Sequence, residues 1–129
     1  MYIDSNDIKA IGSFLKSGFL KGVTTNPTIL STGSGSRFKQ LQDLLALEPT
    51  ELFVQLLGTT SEEMFADYET INTFDANHRL SIKISVTQAG LETIKKVKKD
   101  DPERAILGTL IYSADQGILA AAAGCDYLA

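Results

Sequence analysis

The residue of this chain with most chemistry to offer is a lysine set among β-branched neighbours. Lys83 lies in the run Leu80-Ser-Ile-Lys-Ile-Ser-Val86, whose alternation reads as a strand. Successive strand side chains point to opposite faces, so Ile82, Ile84 and Val86 share one face and Ser81, Lys83 and Ser85 the other. The aliphatic face must meet helices, which turns Lys83 toward the interior. Where water is excluded an amine is favoured in its neutral form, the form that attacks a carbonyl and closes a Schiff base.

The same count on the other strands puts Asp4, Asn26, Gln55 and Thr109 opposite aliphatic neighbours such as Ile3, Val54 and Ile106, at or just past the C-terminal ends of their strands. Parallel α/β proteins bind their ligands at that rim. Each residue also has a structural reading. A strand lysine is commonly a solvated edge residue, Asp4 a helix cap beside Ser5, Asn6 and Asp7, Asn26 before Pro27 a turn residue, and Thr109 a plain β-former. Gln55 is the hardest to dismiss, because an amide between Val54 and Leu56 in a buried strand needs a partner.

Other motifs carry less. Thr32-Gly-Ser-Gly-Ser-Arg37 lacks both the third glycine of a dinucleotide fingerprint and the Gly-Lys-Ser/Thr of a P-loop, and reads as a flexible loop. His78 precedes the fourth strand, on the rim away from the polar residues, so it supports no serine or cysteine triad. Arg79 and Arg104 also precede their strands and are badly placed to hold a substrate phosphate at the other rim.

The elements that must position Lys83 follow from period changes and caps. Strands are expected at Tyr2–Asp4, Lys21–Thr25, Leu52–Leu56, Leu80–Ser85 and Ala105–Leu110, with a sixth beginning at Cys125 or Asp126. A helix with Ile8, Ile11 and Leu15 on one face stops at Gly18. A loop containing Pro27 and Ser31 to Ser36 leads to a helix with Phe38, Leu41 and Leu45 inward. Thr60 with Glu63 forms a capping box for a helix burying Met64, Tyr68 and Ile71. A further helix runs from Thr87 toward Lys99, and a second box, Ser113 with Gln116, opens one ending at Gly124. Strands joined by single helices leave an eight-stranded barrel or an open doubly wound sheet. The chain stops inside what should be a buried strand, which favours part of a barrel.

Composition narrows the function classes. The 129 residues are 43% hydrophobic with a net charge of −4, as in a globular domain without a basic footprint for nucleic acid. No apolar run approaches membrane-spanning length and the start is unlike a signal peptide, so the expected location is cytoplasmic, with no membrane partner. One cysteine and one histidine cannot build a nitrogen and sulfur metal cage. No metal and no cofactor are expected.

With these motifs in place, the chain resembles the transaldolase family, and within it the fructose-6-phosphate aldolase branch. The matching segments are Tyr2-Ile-Asp-Ser5, Gly22-Val-Thr-Thr-Asn-Pro-Thr28, Val54-Gln-Leu-Leu-Gly-Thr-Thr60, Ile82-Lys-Ile84, Leu107-Gly-Thr109 and Tyr112-Ser-Ala-Asp-Gln-Gly117. Thr-Thr-Asn-Pro-Thr after the second strand is the most specific. The resemblance implies a class I aldolase in which Lys83 forms the Schiff base. Asp4 and Asn26 would bind sugar hydroxyls, Asp4 also moving protons, and Gln55 and Thr109 would hold the catalytic water. True transaldolases usually carry glutamate where this chain has Gln55, which tilts the expectation toward reversible cleavage of fructose 6-phosphate. Transaldolase activity and a non-catalytic, flavodoxin-like open-sheet binding module are the alternatives.

Two departures stand out. Ser85 replaces the usual proline, and the chain ends before the Pro-Tyr pair, the phosphate-holding strand ends and the C-terminal helix used in family oligomers. The expectation is therefore the N-terminal portion of one (β/α) barrel domain, residues 1–129, with about six βα units. Alone it should be inactive or nearly so and prone to self-association, although full-length relatives form homo-oligomers around a sugar phosphate chemistry.

Overall fold

In the computed structural model, which describes residues 1–129, strand and helix alternate along the chain. Contacts divide it into two compact units, Met1–Val54 and Gln55–Ala129.

The first unit holds β1 (Tyr2–Asp4), α1 (Ile8–Lys16), β2 (Gly22–Thr24), α2 (Pro27–Thr32), α3 (Arg37–Leu45) and nearly all of β3 (Glu51–Gln55). β2 pairs in parallel with β1 on one side and β3 on the other, with Ile3, Val23 and Leu52 in register. Ile11, Val23, Leu41, Leu44, Leu52 and Val54 are buried. α1 starts at Asp7, whose carboxylate accepts from the backbone N–H of Lys9 and Ala10, each at 3.0 Å; this fills donors that the first helical turn leaves free.

Two local expectations need correction here. The segment after β2 is not a loop: Pro27–Thr32 is helical. Asn26 caps it and Pro27 takes a first-turn position, where its missing N–H costs nothing and its fixed φ suits a helix. The Gly/Ser stretch is accordingly short, Thr32 closing α2 and Ser36 capping α3, and Gln40 holds it by donating to Leu30 O at 2.8 Å and Gly35 O at 3.3 Å. This duty also shifts the buried face of α3 to Gln40, Leu41 and Leu44, with Phe38 and Leu45 only half-buried.

The second unit holds α4 (Ser61–Phe74), β4 (Leu80–Ser85), α5 (Gln88–Asp100), β5 (Ile106–Thr109), α6 (Ala114–Ala123) and β6 (Tyr127–Leu128). β5 pairs in parallel with β4 and β6. Leu56, directly after β3, donates its N–H to Lys83 O at 2.9 Å, so the end of β3 runs beside β4. Tyr68, Ile71, Leu80, Ile82, Ile84, Ile94, Val97 and Ile106 form the core. The Thr60–Glu63 capping box closes as expected. The second box does not. Ser113 accepts from Gln116 N–H, but Gln116 Oε1 reaches one residue past the cap, to Tyr112 N–H at 2.9 Å. Gly124 ends α6 with a φ of +117°, a left-handed conformation open to glycine at no steric cost.

The six strands and their intervening helices have the wiring of part of a (β/α) barrel, as the sequence implied. Neither unit shows the reversal of strand order that marks a doubly wound sheet.

Candidate active site

Which way Lys83 points is decided by two glycines. A Cβ on Gly108 of β5 would stand 3.4 Å from the Ala120 Cβ of α6 and 3.1 Å from Val86 Cγ2, so Gly108 faces the helices. A Cβ on Gly90 of α5 would lie 3.3 Å from Ile84 Cγ2. Ile84 is in register with Gly108. Strand alternation then puts Lys83, Ser85, Leu107 and Thr109 together on the side away from α5 and α6.

Register makes the grouping specific. Lys83 pairs with Leu107 and Ser85 with Thr109. Gln55, from the end of β3, joins the same face by donating its amide Nε2–H to Ser85 Oγ at 3.3 Å. Lys83 is 8% exposed and Thr109 7% exposed, while Gln55 and Ser85 are half-buried. A lysine with so little exposure is uncommon, and Ser85, Leu107, Thr109 and Gln55 share its face.

The ends of these strands are firmly placed. Val86 N–H donates to Thr109 O at 2.9 Å and Thr87 N–H to Ser85 O at 2.9 Å. Gly90 makes room for that last carbonyl: a Cβ there would be 1.8 Å from Ser85 O. β4 therefore meets α5 at a separation only glycine permits, and Lys83 and Ser85 inherit that rigidity.

Asp4 and Asn26 belong to the first unit. Asp4 is exposed and accepts from Thr24 Oγ1 at 2.8 Å, across the β1–β2 register. It caps no helix, since Asp7 has that task. Asn26 is half-buried, and its Oδ1 accepts from Ile29 N–H at 2.8 Å as the cap of α2. Thr25 between them is fully buried, its hydroxyl donating to Phe53 O at 2.9 Å.

The opposite ends of β4 and β5 are built differently. Arg104 is buried and donates to Leu80 O at 2.8 Å, Asn72 Oδ1 at 2.5 Å and Asp101 Oδ2 at 3.2 Å, with its guanidinium 5.6 Å over the Tyr68 ring. Asp75 accepts from Leu80 N–H at 2.7 Å. His78 Nδ1 sits 3.0 Å from Asp101 Oδ2. Burial raises the Asp101 carboxyl, but hydrogen bonds from His78, Arg104 and the Glu103 N–H, with the Arg104 charge, outweigh it and hold the group below its usual range. A cavity of about 270 Å³ opens here between His78, Ser81, Glu103 and Arg104. It lies at the end of the strands away from Gln55, Ser85 and Thr109.

Cys125 is the other nucleophile type in this unit. Burial, with the charge of Asp126, pushes its thiol up to about 11, so it is not a thiolate at neutral pH.

A buried strand lysine sharing its face with an amide and two hydroxyls can do carbonyl chemistry. The family model described as Transaldolase/Fructose-6-phosphate aldolase matches residues 1–129. The chain belongs to that family. Membership makes it one of the aldolase-type enzymes that process sugar phosphates by transaldolase-like, class I chemistry. No helix is long and apolar enough to cross a membrane.

Two residues of the second unit escaped the sequence reading. Strand parity places Ser85 on the face of Lys83, but its partner there, the Gln55 amide, is not visible in the sequence. The structural role of Arg104 has no local signature, because all its partners but Asp101 come from α4 and the start of β4, distant in sequence.

Proposed function

We propose that this chain is a Schiff-base aldolase acting on fructose 6-phosphate, with Lys83 as the nucleophile. The observation that carries the reading is a buried lysine on the helix-averse face of a parallel strand, with Gln55, Ser85 and Thr109 around it. The chemistry follows from the amine. Lys83 Nζ attacks the ketone carbon, a carbon–nitrogen bond forms, and the carbonyl oxygen leaves as water. The protonated imine then draws the electrons of the neighbouring carbon–carbon bond as the C4 hydroxyl gives up its proton. Glyceraldehyde 3-phosphate departs, and dihydroxyacetone stays on Lys83 as the enamine. Protonation at carbon and addition of water release it.

Gln55 and Thr109 hold the water that is expelled and later consumed, each offering a polar atom in a largely dry site. Asp4 and Asn26 bind the sugar hydroxyls, Asp4 also moving protons, an assignment that rests on the family resemblance. Gln55, an amide where transaldolases usually carry glutamate, favours free cleavage and synthesis over transfer between sugars.

The test is reduction with borohydride in the presence of dihydroxyacetone, followed by peptide mass mapping. A covalent adduct on Lys83 is the expected result, and adduct on another lysine or none would overturn the reading. Supplying a second aldose phosphate acceptor distinguishes the two reactions: any turnover that releases free dihydroxyacetone without an acceptor marks the aldolase, and turnover only with one would make the chain a transaldolase.

A further inference from the structure

We infer that the cavity at the starting ends of β4 and β5 binds a small primary alkylammonium ligand. The inference is independent of the aldolase reading, because none of the cavity's residues takes part in the proposed chemistry.

Ser81 supplies the observation that points to a ligand. Its side chain is only 9% exposed, it lines the cavity of about 270 Å³, and no group of the chain hydrogen-bonds its hydroxyl. No fully enclosed side-chain polar atom lacks a partner, so this hydroxyl opens into the cavity. A hydroxyl so deeply placed is costly to leave unused, and whatever occupies the cavity must meet it.

The other open groups of the lining are acceptors. His78 Nδ1–H donates to Asp101 Oδ2 at 3.0 Å, which leaves Nε2 as the acceptor of the neutral ring. Glu103 gives its backbone N–H to Asp101 Oδ1, and no group of the chain takes its carboxylate. Ser81 Oγ, His78 Nε2 and the Glu103 carboxylate thus face a ligand with three acceptors, the complement of an –NH₃⁺ group with three donors and no lone pair. Charge points the same way. Arg104 is engaged by Leu80 O, Asn72 and Asp101, and the carboxylates of Asp101 and Glu103 against its single guanidinium leave the lining net negative. No three His, Cys, Asp or Glu side chains are placed to hold a metal ion, which turns the choice to an organic cation. The cavity has the volume of about nine waters at ~30 Å³ each, so it has room for a short alkyl chain along Leu80 and Ala105 as well as the ammonium.

The experiment follows the backbone amide resonances of the full chain by NMR during titration with propylammonium chloride. Tetramethylammonium chloride, a cation without N–H donors, and 1-propanol, which has no charge, are the controls. Saturable shifts centred on His78–Ser81 and Glu103–Ala105, with a millimolar dissociation constant, are expected for propylammonium and for neither control. Ser81→Ala should weaken binding about tenfold, and the exposed Glu103→Gln about threefold. Nα-acetyl-lysine amide separates a free amine from the side chain of a partner protein. It should bind no more tightly than propylammonium, and tighter binding would overturn the small-molecule assignment in favour of a protein lysine. Saturation by either control, shifts that never saturate and so mark a cavity filled by water only, or unchanged affinity in either variant would each overturn the inference while leaving the Lys83 reading untouched.

Discussion

Two buried cations belong to the same pair of strands, Arg104 just before β5 and Lys83 within β4, and their surroundings differ. Arg104, before β5, is clamped by Leu80 O, Asn72, Asp101 and the face of Tyr68. Lys83, within β4, shares its face with Leu107, Ser85, Thr109 and Gln55. A guanidinium is planar, permanently charged and rich in donors, which suits a clamp. An amine on a flexible stem can lose its proton and form a covalent bond, which suits a reaction. One end of the strands is thus spent on stability and the other, on the proposed reading, on chemistry. Asp75 and Asp101 gather at the first end, and Gln55, Ser85 and Thr109 at the second.

The sharpest way to break this contrast is to exchange the demands on the two ends. Lys83→Met should abolish the borohydride-trapped adduct entirely while leaving the urea midpoint within the range of ordinary core substitutions. Persistent trapping in that variant would move the chemistry elsewhere. Arg104→Met should do the reverse. It takes the guanidinium away from the buried Asp75 carboxylate and from Asp101 and should cost about 3–5 kcal/mol, seen as a lower urea midpoint at unchanged slope. A loss of less than about 1 kcal/mol would mean that the clamp is not one.

A smaller effect separates the ends by pH. The Asp101 carboxyl is held below its usual range in the folded chain, so the folded state binds its proton less readily than the unfolded state does. Its contribution is complete above the unfolded carboxylate range, near 3.8, and is lost as pH falls through the lower folded value. Asp101→Asn should reduce stability at neutral pH by about 1–3 kcal/mol, the worth of hydrogen bonds to a charged group, and flatten the acid limb of the stability curve. An acid limb identical to that of the unmodified chain would remove Asp101 from the account.

The smallest effect lies at the end proposed to be reactive. Thr60→Ala removes the capping-box hydroxyl that accepts from Glu63 N–H at 3.2 Å and should cost about 1 kcal/mol in a chemical melt. That is well below the cost of Arg104→Met, as expected if stability is concentrated at the other end.

Much of this was legible without coordinates. The order of strands and helices, the Thr60–Glu63 box, the left-handed stop at Gly124 and the parity that turns Lys83 away from Ile82 and Ile84 all depend on near neighbours in sequence. So does the recognition motif Thr-Thr-Asn-Pro-Thr, whose helix, however, was read as a loop. The misread stretch shows where local rules falter: Asn26 and Pro27 are good turn residues and equally good first residues of a helix.

What the sequence by itself determined was therefore the alternation of elements and the side of the strand on which each polar residue stands, because backbone geometry makes both strictly periodic. Only the tertiary structure decided which residues meet. That Gln55 gives its amide to Ser85, that Gln40 displaces Phe38 and Leu45 from the buried face of α3, and that Arg104 finds Asn72 and Tyr68 all depend on register and close packing between segments far apart in the chain. Such choices are settled by satisfying buried polar groups, a requirement that no local pattern encodes.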